Sequence, residues 1–168
     1  CQTYLFLEQT VSYTTRTIRS GEVEGEDYHF ISKDEFIENK KNNKFIESQK
    51  VYDNFYGTTY ESINTILESG KDAILEIDYK GMLLIKSKIP LSRSIYILPP
   101  SIQELEKRLF ERGLDSDEVI EKRVSQAKEE LKYVKFADYT VMNDNFAEAI
   151  KSLKAIIINS KITPYNFC

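Results

Sequence analysis

The chain has 168 residues, in which 23 Lys and Arg face 27 Asp and Glu for a formal net charge of −4. That length suits one domain burying roughly 70% of the surface its unfolded form exposes, and the negative balance excludes a protein that coats nucleic acid through bulk electrostatics, so any anion site must be local. The two cysteines, Cys1 and Cys168, stand at the chain ends and form neither a disulfide framework nor a zinc site.

The longest all-aliphatic run, Ala155 to Ile158, is far short of the ~20 residues that span a bilayer. A soluble, cytoplasmic protein with no membrane and no nucleic-acid partner is expected. The chain opens on Cys rather than Met, as a fragment or processed form would.

In chain order, Ser12 to Arg19, "SYTTRTIR", sets two arginines three residues apart among hydroxyl side chains, and a polar loop runs on to "DYHF". Ser32 and Glu35 make a capping-box signal for a short helix that fades into "KNNK". "FIESQKVYDNFYG" reads as short strands joined near Asp53-Asn54, followed by a helix with the stripe Ile63, Ile66 and Leu67 that stops at Gly70. "AILEID" is an apolar strand carrying two carboxylates, and Gly81 to Ile89 is a helix closed by Pro90.

The alternation then repeats. "SIYIL" is a strand, and Ser101 with Glu104 caps a helix bearing Ile102, Leu105 and Leu109 that ends at Gly113. The longest helix runs from about Ser116 to Val134, "YTVM" is the last strand, and Phe146 to Ser160 is a final helix with Ala147, Ile150, Leu153 and Ile157 on one face. Strands alternating with helices imply an α/β fold with a mainly parallel sheet covered on both sides.

Polar residues that violate this pattern carry the functional information, because ligands of such sheets bind beyond the carboxyl ends of the strands. Glu76 and Asp78 are two apart, so strand geometry points them to one side, where they need cations, a metal or hydrogen-bond donors. They equally suit a plainer reading, in which Asp78 caps the next helix and Glu76 pairs with a surface lysine. Arg123 falls inside the apolar stripe Val119, Ile120, Val124, Ala127 and Leu131, so its guanidinium either reaches an anion or snorkels to water. Arg108 and Arg112 flank the same connection, and the three could surround a polyphosphate. Arg16, Arg19, Ser12 and Tyr28 could form a cup for a tetrahedral phosphate, since the arginine fork donates two parallel charge-assisted bonds; a basic loop is the commoner explanation of such a stretch. The sole histidine, His29, has no second histidine to work with and reads as structural.

In order and spacing, "VSYTTRTIRSGEVEGEDYHF", "FIESQKVYDNFYGTT", "LEIDYKG", "YILPPSIQELEKRLFERG", "DSDEVIEKR" and "VMNDN" closely resemble guanylate kinases, from about Val11 to Ile158. The resemblance implies a single domain over residues 1–168, of P-loop-kinase type. It would hold a parallel sheet flanked by helices, a mixed β subdomain binding GMP over about 12–60 and a helical lid over about 108–124. It implies transfer of the γ-phosphoryl group of ATP to GMP with Mg2+, giving ADP and GDP in purine nucleotide metabolism, by a monomer or homodimer. Arg16, Arg19, Tyr28 and Tyr56 match residues that grip the GMP phosphate, with Ser12 beside them; Glu47, Thr58 and Asp78 match guanine-reading positions. Carboxylates suit guanine because its ring N–H and amino group are donors on one edge. Glu76 stands near the expected metal and phosphates, Arg108, Arg112 and Arg123 match lid arginines, and Asn143, with Arg112, matches the ATP side.

One departure is large. The family opens with a strand, a G-x-x-x-x-G-K-[ST] loop and a helix; no such motif occurs in these residues, whose glycines are 21, 25, 57, 70, 81 and 113. "CQTYLFLEQT" reads as the end of that first helix, so roughly 30 residues of a strand-loop-helix unit are missing. A weakly active or inactive form is therefore expected, with an exposed sheet edge where the strand would lie. A guanylate-kinase-like module that binds phosphopeptides without catalysis is the alternative.

Overall fold

The computed structural model describes residues 6–113 and 115–162, and the chain forms two compact units, Cys1–Lys88 and Ile89–Cys168. Cys1 and Cys168, on which the redox reading rested, lie outside the described residues, as does the first half of the expected helix end.

In the first unit, strand β1 (Leu7–Gln9) pairs in parallel with β6 (Asp72–Ile74). This corrects the reading of the opening decapeptide as a helix end, because Leu7, Glu8 and Gln9 take ladder positions opposite Asp72, Ala73 and Ile74. A four-stranded mixed sheet holds β3 (Tyr28–Phe30), β2 (Ser12–Thr14), β5 (Asn54–Thr59) and β4 (Phe45–Val51) in that spatial order. The β4–β5 hairpin turns through Tyr52 and Asp53, where Tyr52 takes a positive φ of 53°.

Helix α1 (Lys33–Lys41) starts where expected, with the Ser32 hydroxyl accepting from the Glu35 amide, and buries Phe36. Phe36 is 0% exposed and stacks on Phe45 at 4.5 Å and on Phe55 at 5.4 Å between ring centroids. Helix α2 (Tyr60–Glu68) is capped by Thr59 and buries Ile63 and Ile66, whereas Leu67 is 52% exposed. The buried stripe is thus narrower than the three-residue face expected. Gly70, with φ of 79°, ends it in the left-handed conformation that only glycine takes without strain. Helix α3 (Tyr79–Lys88) begins two residues before the expected start because Asp78 caps it, accepting the Gly81 amide at Oδ1.

In the second unit, β7 (Ile95–Leu98) and β8 (Tyr139–Met142) form a parallel pair. Helix α4 (Ile102–Arg112) is capped by Ser101 and closed by Gly113 at φ of 66°, and α5 (Asp117–Glu130) packs on it through Leu109, Ile120 and Val124. The expected long helix does not continue to Val134: Leu131–Phe136 tightens into a 3₁₀ segment. Helix α6 (Phe146–Ile162) buries Ala149, while Ala147, expected on the inner face, is exposed. Among the described residues parallel pairing occurs at β1–β6 and β2–β3 in the first unit and at β7–β8 in the second, within the α/β class expected.

Candidate functional site

Register brings the first group of expected residues into one strip. Ser12 lies opposite Tyr28, Thr14 opposite Tyr56, and Glu47 opposite Thr58. The Ser12 and Thr58 hydroxyls are 3.0 Å apart, and Thr58 beside Glu47 favours the ionised form of its carboxyl. Either hydroxyl can donate in that pair.

Glu47 is 5% exposed. Burial, with the charge of Asp78 adding to it, pushes its carboxyl above the ordinary range, while the Thr58 bonds pull the other way. A buried carboxylate stands ready for donors. Gly81 makes room for it: a Cβ there would meet Glu47 Oε2 at 3.2 Å and Ile77 Cβ at 3.0 Å.

Arg16 occupies the other end of the strip. Its guanidinium carbon lies 5.5 Å from the Tyr28 ring centroid and 5.6 Å from that of Phe30, and it is 13% exposed. Nη1 and Nη2 donate to the two carboxylate oxygens of Glu22 at 3.0 and 2.6 Å, Nη1 also reaches the Thr17 carbonyl at 2.8 Å, and the Tyr56 hydroxyl is a further partner. The bond to Glu22, above all, raises the Arg16 pKa, so the group is cationic at every relevant pH. Tyr28 and Tyr56 meet edge to face at 5.9 Å, and burial raises the Tyr28 phenol so that it stays protonated. Arg19 is exposed, with its backbone amide held by Glu22 Oε2 at 2.8 Å.

Glu76 and Asp78 do not share one side by strand alternation as expected, because β6 ends at Ile74. Asp78 is half-buried and takes the capping role of the plainer reading; Glu76 is exposed, and its charge is felt at the Tyr28 phenol. His29 packs on Tyr13 at 4.6 Å and contacts Glu24, a structural place.

The second unit holds the remaining expected residues. Arg112 Nη2 donates to Asp115 Oδ2 at 2.6 Å, and Arg123 Nη1 stands 3.6 Å from the same oxygen, so one carboxylate joins two of the three arginines. Arg108 turns elsewhere: its Nε bonds Glu104 at 2.8 Å, and its Nη groups donate to the carbonyls of Asn143 at 2.7 Å and Asp144 at 3.3 Å. The structure therefore gathers Arg108 with Asn143, and Arg112 with Arg123.

Glu22, Gly81 and Asp115 were missed as contributors by sequence reasoning. For Glu22 a signal existed in Ser20-Gly21, a turn dipeptide that folds an acidic residue back on the arginine stretch.

A family model described as guanylate kinase matches residues 3–160. Guanylate kinases of Escherichia coli, 47% identical over 148 residues, and of Pseudomonas fluorescens, 44% identical over 147 residues, each cover 88% of this chain, which spans 72% and 71% of their lengths. That of Buchnera aphidicola is 47% identical over 152 residues, 90% of this chain and 73% of its own. The crystal structure of guanylate kinase from Anaplasma phagocytophilum superposes with a TM-score of 0.80 at 29% identity, covering 93% of this chain and 77% of that one. With a family model matching residues 3–160, relatives 44–47% identical over most of its length and a matching fold, the chain belongs to the guanylate kinase family.

Proposed function

We propose that the chain works as a guanylate kinase, moving the γ-phosphoryl group of ATP to the phosphate of GMP to give ADP and GDP. The observation that carries this reading is the strip Arg16–Tyr56–Ser12–Thr58–Glu47, which puts a fixed cation at one end and a buried carboxylate at the other. A nucleotide with an anionic phosphate and a donor-bearing base matches both ends. Arg16, Arg19, Tyr28 and Tyr56 take the phosphate, with Ser12 beside them, and Glu47, Thr58 and Asp78 take the guanine. Adenine offers an acceptor at the ring nitrogen where guanine offers a donor, so it would leave the carboxylate unsatisfied and be rejected. Retention of Glu47, Asp78 and all three lid arginines, which a phosphate-only binder does not need, disfavours the binding-module alternative.

Arg112 and Arg123 supply the charge that a transferring phosphoryl group needs, and Arg108 shapes the Asn143 loop on the ATP side. Among the described residues no cluster of three His, Cys, Asp or Glu could hold a metal. Mg2+ keeps water and phosphate oxygens as ligands and needs only one or two protein carboxylates; exposed Glu76 is the residue that would reach it. When bound, such an ion would neutralise phosphate charge. No helix among the described residues is long and apolar enough to cross a membrane, and a cytoplasmic monomer or homodimer goes with this reading.

The backbone amides and lysine of a G-x-x-x-x-G-K-[ST] loop, which hold the β and γ phosphates, are not among these 168 residues. The 168 residues alone should bind GMP and turn it over slowly. A coupled ADP-release assay with GMP and ATP, run beside a GMP titration, tests this: saturable GMP binding with a low rate is expected, and absence of binding would overturn the reading.

A further inference from the structure

Resting on that reading of the phosphate cup, we propose that Glu22 is a positioning residue for the acceptor phosphate: it fixes the Arg16 fork and the Arg19 backbone so that the remaining donors of Arg16 face the ligand. The local chain is built for this. Arg19 to Glu22 form a turn closed by the Glu22 amide on the Arg19 carbonyl at 3.1 Å, with Gly21 at φ of 90°, a value that favours glycine at the third position of such a turn. The turn swings the Glu22 carboxylate back, where Oε2 accepts from the Arg19 amide at 2.8 Å and from Arg16 Nη1 at 3.0 Å, and Oε1 accepts from Arg16 Nη2 at 2.6 Å. One carboxylate thus ties both ends of the Arg16–Arg19 stretch.

The donor count says what this leaves. A guanidinium has five N–H groups. Glu22 takes one from each Nη nitrogen and the Thr17 carbonyl takes the second of Nη1. The Nε–H and the outer Nη2 N–H remain, to be shared between the Tyr56 hydroxyl and an incoming phosphate. Tyr28 and Phe30, at 5.5 and 5.6 Å from the guanidinium carbon, restrict its plane. An arginine held in this way loses little side-chain freedom when the ligand arrives, which is where preorganisation gains affinity. Glu22 stays ionised because the Arg16 bond, followed by the Arg19 amide, holds its carboxyl below the usual range.

The test is calorimetric titration of the 168-residue chain and its E22Q and E22D variants with GMP and, separately, with guanosine, which lacks the phosphate. E22Q should weaken GMP binding about tenfold and leave guanosine unchanged; E22D, which keeps the charge on a shorter arm, should recover part of the loss. In an Arg16→Ala background E22Q should lose most of its effect, with only the Arg19 amide tie left to remove. Unchanged GMP affinity in E22Q would overturn the proposal, as would tighter binding, which would make Glu22 a competitor for the phosphate's place, or equal weakening of guanosine, which would make its role merely structural. Should E22Q fail to fold, E22D carries the same test through its loss for GMP over guanosine. A parent chain that takes no GMP at all would sink the functional reading together with this proposal, whereas a parent that binds GMP and an E22Q that binds it equally well would sink this proposal alone.

Discussion

The arginines of the two units differ in how firmly each is held. Arg16 is 13% exposed, set over two aromatic rings and gripped at both Nη nitrogens by Glu22. Arg112 is 42% exposed at the end of α4, and Arg123 reaches the shared Asp115 oxygen only at 3.6 Å, beyond hydrogen-bond range. A rigid cation suits binding of a ground-state ligand, because its ordering cost is met on folding. Two cations sharing one carboxylate keep a surplus of positive charge, which suits a partner that brings further negative charge.

The largest effect should come from removing what makes the first unit rigid. Phe36→Ala deletes a fully buried ring and should cost about 3–5 kcal/mol. Hydrogen exchange should show β4 and β5 losing protection well before α4 and α5; equal loss everywhere would break the distinction between the units. Arg16→Ala should weaken GMP by about 2–3 kcal/mol, the range of a charge-assisted contact, with Arg19→Ala doing less. A titration of each variant reads this directly.

Glu47→Gln should lower the preference for GMP over AMP about tenfold, from the loss of one charge-assisted contact of ~1.5 kcal/mol, measured as a ratio of dissociation constants. The same residue sets a pH dependence. Guanosine needs Glu47 ionised, and burial raises that carboxyl, so affinity should fall as pH drops through a value above the ordinary carboxylate range. For stability the sign is opposite: the folded state holds the Glu47 proton to higher pH than the unfolded state, so this group's contribution is lost as pH rises through its raised pKa. Guanosine titrations across pH, flat in Glu47→Gln, check the binding half. The smallest effect belongs to the second unit: Arg123→Ala should change GMP affinity by less than about twofold, as for a residue that makes no ground-state contact with the acceptor.

Helix boundaries were legible where a single residue carries the signal. Ser32 and Ser101 cap α1 and α4 as expected, and Gly113 ends α4, because capping is local chemistry. The three-residue strands β1, β2 and β3 were not legible, since each is defined by partners elsewhere: Leu7 pairs with Asp72, and Tyr13 with Gly57. Leu67 fits the stripe by periodicity yet faces out, because the buried face of α2 is only as wide as Ile63 and Ile66 require. At the site, Arg16 stood out in the arginine–hydroxyl stretch, Thr58 and Glu47 came only through the family resemblance, and the register sets them along one sheet. Glu22 and Asp115 were passed over because an acidic residue on a polar surface carries no periodic signal; only the fold shows which cation it holds.

The central claim is that one strip of the first unit holds a purine monophosphate by its phosphate at Arg16 and by its base at Glu47. The most direct measurement is the nuclear magnetic resonance spectrum of the chain titrated with GMP, followed at the Arg16 side chain and at the Thr58 and Gly81 amides. Saturable shifts at all three with GMP, shifts at Thr58 and Gly81 alone with guanosine, and much weaker response to AMP are expected. Shifts at Arg16 of equal size with AMP and GMP, with Thr58 and Gly81 unmoved, would contradict it.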